Sequence, residues 1–392
     1  MNKTFYYLFF IILLGLNSCS LSKESAFDTE TGQNDYLVYI KDQELLFYDP
    51  ANKVNTTILP EWDIDEFNLS SNNHLAFSTS SEDKSKIYVL DYPFNENTPT
   101  EITFFANAKI SSISWSPNGH YLLFDSAQGE SKKLRLWDGK NLSTIYNHHG
   151  KIGEITWSNN GTLAFTEYFI NDPSPKNDPS EVYIWDGNAI VSVSQNPSGE
   201  DRFPAWSKDG QLAFLSNRDG EYDIFVWDGK SIVNDTPDIN TFLNIASDLT
   251  QYYSKPVWTN SDMLTFSAKS VWDLYVQIYK WDGQSVRNIS KNPFSHNGEQ
   301  TWRKDGYWSF ITFFSESQNL YIRDEKNKTI LKTKGQYSPA WSQNGILIFC
   351  VPNGSSGWTL SMWNSEDVIE IAHGNFIEAK WNNGEYVFCS SG

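Results

Sequence analysis

Cations are scarce in this chain of 392 residues: 30 Lys and Arg stand against 48 Asp and Glu, a net charge of −18. That balance excludes nucleic acid or an anionic membrane surface as the main partner. Aliphatic side chains are also few. Apolar residues total 39%, yet Phe, Tyr and Trp alone reach 16%, which favours strands over a helical bundle. With 23 Gly and 15 Pro the chain is not collagen-like or of low complexity. At roughly 150 residues per domain the length suggests two or three domains, or one large all-β domain. Beyond the amino terminus no segment is apolar enough to cross a bilayer.

The amino terminus reads as an address. Lys3 precedes Phe5–Leu16, a run that is apolar throughout except for Gly15. It is too short for a transmembrane helix and suits the core of a signal peptide. The run ends in Leu16-Asn17-Ser18-Cys19, which resembles a bacterial lipobox, with Asn17 a departure from the usual pattern. The resemblance implies a signal peptide over 1–18, lipidation of Cys19 and a polar tether over 19–34. Several acyl chains on Cys19 would form a stable lipid anchor to a membrane, on the periplasmic or cell-surface side.

Tryptophan marks a repeat through the rest of the chain. Trp, a short polar turn with Asn or Asp before Gly, and an apolar strand ending in Phe recur together. Examples are ISWSPNGHYLLF at Trp115, ITWSNNGTLAF at Trp157, PAWSKDGQLAF at Trp206 and PAWSQNGILIF at Trp341. Looser copies lie at Trp258, Trp302 and Trp381, and a worn copy places Leu69 at the Trp position. A period of about 40 to 50 residues is that of a four-stranded propeller blade. The Asn/Asp-Gly pair tolerates positive φ and closes a tight hairpin.

A second marker, an aromatic-rich strand ending in Asp, follows the Trp-phase motifs before Trp381: RLWDG at Asp138, YIWDG at Asp186, FVWDG at Asp228, YKWDG at Asp282, with SMWN at Asn364 a variant. One copy, LLFYD at Asp49, precedes the first Trp-phase motif, whereas Trp381 has no marker after it. The two markers are therefore out of step. The chain over 35–392 is expected to form an all-β, eight-bladed propeller whose last blade is sewn from both termini, with seven blades as the alternative. Both Leu37–Ile40 and Tyr386–Cys389 fit the second strand of the shared blade. Closure leaves no free sheet edge to aggregate. Cys350 and Cys389 each follow a Phe at one phase of the repeat. Equivalent positions in neighbouring sheets lie about 10 Å apart, so two separate buried thiols are expected.

The stretch NPSGEDRFPAWSKDGQLAFLSNRDGEYDIFVWDG, Asn196–Gly229, resembles the repeat of the TolB-type, WD40-like propellers, and the likeness extends over about Asp35–Gly392. It implies an exported propeller that serves as a platform for other proteins. The blade count departs from the six of TolB itself, so a TolB-specific role is not carried over.

Chemistry is sparse. His74, His120, His148, His149, His296 and His373 accompany no HExxH motif, Ser nucleophile elbow or phosphate loop. His148-His149 reads as a solvated loop pair, with metal contact as the alternative. Three residues before the repeat Trp stand Glu66, Glu154, Lys255, Glu299 and Glu378, expected at the channel rim. Facing acids there repel unless solvated, paired with Lys255 or neutralised, so a divalent cation or a basic partner group is a candidate ligand. The two longest insertions, 166–180 and 234–255, carry Tyr168, Phe169, Phe242, Tyr252 and Tyr253 among acids, with a short helix expected over 242–249. Aromatics on loops of a rigid frame suit protein or glycan contact. The expectation is a monomeric, non-catalytic, membrane-anchored scaffold that binds a protein. The alternatives are a carbohydrate-binding surface protein, or an enzyme using the channel mouth.

Overall fold

The computed structural model describes residues 35–392, except 43, 82–83, 95, 107, 170–178, 197, 219–221, 229–231, 234–255, 270–273, 315–316, 355–356, 384 and 391–392. These residues form eight antiparallel sheets in a ring: a β-propeller of seven four-stranded blades and a closing blade of five strands. Among the described residues there is no helix.

Each blade starts at the channel with a strand that ends on the repeat Trp, as in Lys109–Trp115, Lys151–Trp157 and Gln336–Trp341. A hydroxyl directly after the Trp position then closes the turn. Ser116, Ser158, Ser207, Thr259 and Ser342 accept N–H bonds from the residue four or five positions on, at 2.9–3.1 Å. Gly210 sits in that turn at φ +87°, a conformation that a side chain would strain. The second strand of each of the first seven blades buries the Phe that ends the motif. Phe77, Phe124, Phe165, Phe214, Phe266, Phe310 and Phe349 are all wholly buried, each worth about 1.5–3 kcal/mol of transfer free energy.

Neighbouring blades are stitched by indole N–H groups. Trp157 donates to Ser114 Oγ at 3.2 Å, Trp258 to the Ala205 carbonyl at 2.9 Å and Trp381 to the Ala340 carbonyl at 3.2 Å. Within blades the repeat Trp meets the Trp of the third strand at 6.0–6.5 Å, as in Trp115–Trp137 and Trp341–Trp363. The sixth blade departs. Arg323 takes the third-strand position directly opposite Trp308, which stacks on Trp302 at 5.2 Å.

The ring closes through Leu37–Lys41, which lies antiparallel to Phe376–Trp381 with Leu37 opposite Trp381 and Lys41 opposite Ile377. Leu37-Val38-Tyr39 supplies the second-strand core, Tyr39 standing where other blades have Phe and almost wholly buried. Asp35 fastens the start of this strand by accepting from Ser342 Oγ at 2.6 Å and from Asn344 N at 3.3 Å.

Both candidate second strands are used, on opposite sides of Phe376–Trp381. Tyr386–Ser390 pairs with the channel edge of that strand, Ile377 opposite Cys389 and Lys380 opposite Tyr386, and so becomes a fifth strand inside the ring. This corrects the expectation of two separate thiols: Cys350 and Cys389 form a disulfide with Cα atoms 5.8 Å apart. The 10 Å spacing holds for like positions in neighbouring sheets, and Cys389 is not in a like position. Its strand has stepped inward, beside the seventh blade, and brings the sulfur to Cys350.

Candidate functional site: the axial chamber

The residues that reach the channel are set by a recurrent backbone irregularity. In five inner strands the pairing register slips just before the Trp, between Ser111 and Ser114, Ile152 and Ile155, Arg202 and Ala205, Gly298 and Thr301, and Gln336 and Ala340. Such bulges bend a strand and re-aim its side chains. Ser112, Phe203 and Glu299, each three residues before a Trp, have φ of 60°, 58° and 55°. Glu66 and Glu378 stand in regular pairing with Ser78 and Ile40. The positions expected at one rim thus belong to two local geometries.

A chamber of about 530 Å³ opens between the inner strands of the third to seventh blades and the fifth strand of the closing blade. Its acids are Glu154, Glu299 and Glu385. Phe203, Trp206, Trp258, Tyr386 and Phe388 supply aromatic wall. Tyr386 and Phe388 are 56% and 42% exposed, unusual for large side chains inside a ring, and Phe388 packs edge-on against Phe376 at 5.1 Å.

Glu154 is held from behind. The Tyr168 hydroxyl lies 2.9 Å from its Oε1 and 3.0 Å from its Oε2. The tyrosine ring reaches the carboxylate across Gly153, where an added Cβ would stand 2.3 Å from Tyr168 Cε2. Tyr168, expected to face a partner, is instead half-buried and turned to this acid. Phe169 follows it, half-buried, its N–H bonded to the Pro179 carbonyl at 2.8 Å. Phe242, Tyr252, Tyr253 and Lys255, and the helix expected over 242–249, lie outside the described residues.

The remaining rim acids gather around a cation that sequence reasoning passed over. Lys380 Nζ is 2.9 Å from Glu378 Oε1 and donates to the Phe67 carbonyl, crossing from the closing blade to the first. Burial pushes the Glu66 carboxyl up, against the pull of Lys380 and of the Ile113 N–H, which donates to Glu66 Oε1 at 3.0 Å. The rim acids therefore fall into two groups: Glu66 and Glu378 around Lys380, and Glu154 and Glu299, which line the chamber with Glu385. Among the described residues no three His, Cys, Asp or Glu side chains come together to hold a metal. The signal for Lys380 was its place directly before Trp381, on the alternate face of an inner strand.

His148 is not a solvated loop residue. It ends the outer strand of the second blade, buried, with Nε2 2.8 Å from Asp125 Oδ1 and its ring parallel to Tyr146. The neighbouring Glu167 accepts from Tyr146 Oη at 2.7 Å and from Gly150 N at 2.9 Å. This cluster joins the second and third blades, and none of its residues lines the chamber.

No family model and no curated protein matches the sequence. Solved structures do match the fold. Dipeptidyl peptidase 4 of Porphyromonas gingivalis superposes with a TM-score of 0.60 at 14% identity, over 85% of this chain and 56% of that one. Prolyl oligopeptidase B of Galerina marginata gives 0.55 at 10% identity, over 79% and 50%. The β-propeller domain of the Trilobed protease from Pyrococcus furiosus gives 0.50 at 15% identity, over 79% and 97%. What they share with this chain is the propeller. The chain spans about half the length of the whole peptidases. Of the resemblance to TolB-type repeats, the same likeness supports the propeller fold. The expectation of a non-catalytic scaffold, with a carbohydrate-binding protein as its alternative, is corrected here: the propellers of like architecture are parts of peptidases.

Proposed function

We propose that the chain is a peptidase-related propeller whose axial chamber receives peptide for hydrolysis. The observation that carries this reading is the chamber itself. Its volume of about 530 Å³ falls within the range of ligand sites, about 300–1,000 Å³. Its walls alternate acids with aromatic surface. Glu154, Glu299 and Glu385 complement an α-amino group or Lys and Arg side chains, and the aromatic wall covers the apolar remainder of a peptide. Peptidases with propellers of this architecture support the reading, one of them solved with a bound 35-residue substrate.

The test is direct. The purified chain is titrated with basic, neutral and acidic peptides by calorimetry, and each mixture is followed by mass spectrometry. Basic peptides should bind best, and Glu299→Gln with Glu385→Gln should weaken them several-fold. A chain that neither binds nor cleaves any of them overturns the reading.

The proposed setting is extracytoplasmic. Phe5–Leu16 followed by Cys19 supports export and lipid anchoring, and the TolB-like repeat is of a kind found in exported propellers. Labelling with an alkyne fatty acid in cells should tag the wild type and not Cys19→Ala.

A further inference from the structure

We propose that the fifth strand of the closing blade, Tyr386–Ser390, is a docking edge on which an extended peptide is held as an added strand. This rests on the peptide reading above and names how the peptide is held.

The argument starts with parity. Antiparallel neighbours exchange both backbone bonds at every second residue. The Trp381 N–H donates to the Glu385 carbonyl at 2.8 Å, and the pairing continues with Ala379 opposite Val387 and Ile377 opposite Cys389. The backbone groups of Glu385, Val387 and Cys389 therefore point to Phe376–Trp381. Those of Tyr386 and Phe388 point the other way, to the channel. Among the described residues no strand pairs with that edge. Their side chains stand exposed beside it, while Val387 and Cys389 are wholly buried.

Other inner edges offer less. Five are broken by the bulges before the Trp. In the short strand Glu66–Leu69 the Phe67 carbonyl is taken by Lys380. Tyr386–Ser390 keeps an unbroken register, and the Cys350–Cys389 disulfide fixes it to the seventh blade. A regular edge without Lys or Pro is the template that strand addition uses, main-chain bonds giving affinity and alternate side chains giving selection. Glu154 and Glu299 line the same chamber as this edge and Glu385 directly precedes it, so the peptide it suits is extended and basic.

The probe is a short peptide of alternating Val and Lys, with two versions N-methylated at opposite alternate residues. Methylation in one phase removes the donors that meet Tyr386 and Phe388, and should weaken binding roughly tenfold or more for two lost bonds. The other phase should bind within about twofold of the parent peptide. Tyr386→Pro, which deletes one outward N–H and leaves the bonds to Phe376–Trp381 in place, should weaken the parent peptide severalfold, as for one lost bond. Equal binding by both methylated peptides and the parent overturns the docking edge while leaving the chamber as a peptide site. Failure of the parent to bind overturns both.

Discussion

The Tyr168 hydroxyl grips both oxygens of Glu154 by passing over the one residue between the strands that has no side chain, Gly153. Gly153→Ala should push the tyrosine ring aside, since its Cβ would fall 2.3 Å from Cε2. The expected cost is about 1–3 kcal/mol, typical of overpacking. Tyr168→Phe removes only the hydrogen bond and should cost about 1 kcal/mol. Urea unfolding of both variants checks the order; equal losses would mean that the ring itself is not under constraint.

The disulfide should matter to stability as well as to position. It closes a loop of sequence separation 39, which the chain-entropy relation values at about 4 kcal/mol. Reduction under native conditions, or Cys389→Ala, should lower the unfolding midpoint accordingly and release Tyr386–Ser390 from the seventh blade. Amide exchange at Val387 and Cys389 reports that release. Unchanged exchange with an unchanged midpoint would contradict the assigned bond.

Most of the ring was legible because five of the repeat Trp do the same job, ending an inner strand and packing on a third-strand indole. Trp115, Trp157, Trp206, Trp258 and Trp341 hold one phase through the chain. The misreading at Cys389 has a physical source. Period-two alternation says which side chains of Tyr386-Val387-Phe388-Cys389 share a face, but not which edge of a neighbour the strand joins. Leu37-Val38-Tyr39 carries the same pattern and occupies the second-strand place. Lys380 was illegible for a related reason. Its partner in the first blade, the Phe67 carbonyl, is distant in sequence and comes within reach only when the ring is shut. Of the chamber acids, Glu154 and Glu299 were found by counting back from Trp, whereas Glu385, four residues after Trp381, was missed; the count also fails to show that bulges separate Glu154 and Glu299 from Glu66 and Glu378. Function was least legible, since one fold serves many tasks.

Stability should rise on mild acidification and then fall. Burial pushes the carboxyls of Asp35, Glu66 and Asp201 up. The folded chain therefore binds these protons at higher pH than the unfolded chain. It gains stability as pH drops from each raised value toward the unfolded value near about 4. Asp138, Asp186 and Asp282 behave oppositely, because backbone N–H groups of their turns hold them low. Their contribution is intact above the unfolded value and disappears as pH falls below it. Melting temperature measured from neutral pH downward should pass through a maximum. Glu66→Gln keeps an acceptor for the Ile113 N–H and should flatten the rise; an unaltered slope would remove Glu66 from the account.

Lys380 should be the most costly single cation to lose. Its side chain is 8% exposed, its ammonium pairs with Glu378, and it lies 4.8 Å over the Phe67 ring. Lys380→Met leaves Glu378 and the half-buried Glu66 facing each other across the junction of the closing and first blades. Breaking one side of a buried pair costs about 3–5 kcal/mol, and the lower figure suits a partner that is still partly solvated. If repulsion is the cause, adding Glu378→Gln to Lys380→Met should restore part of the loss, a coupling of about 1 kcal/mol or more in a double-mutant cycle. Were the two losses simply additive, Lys380 would be acting through the Phe67 carbonyl and its other neighbours rather than through Glu378.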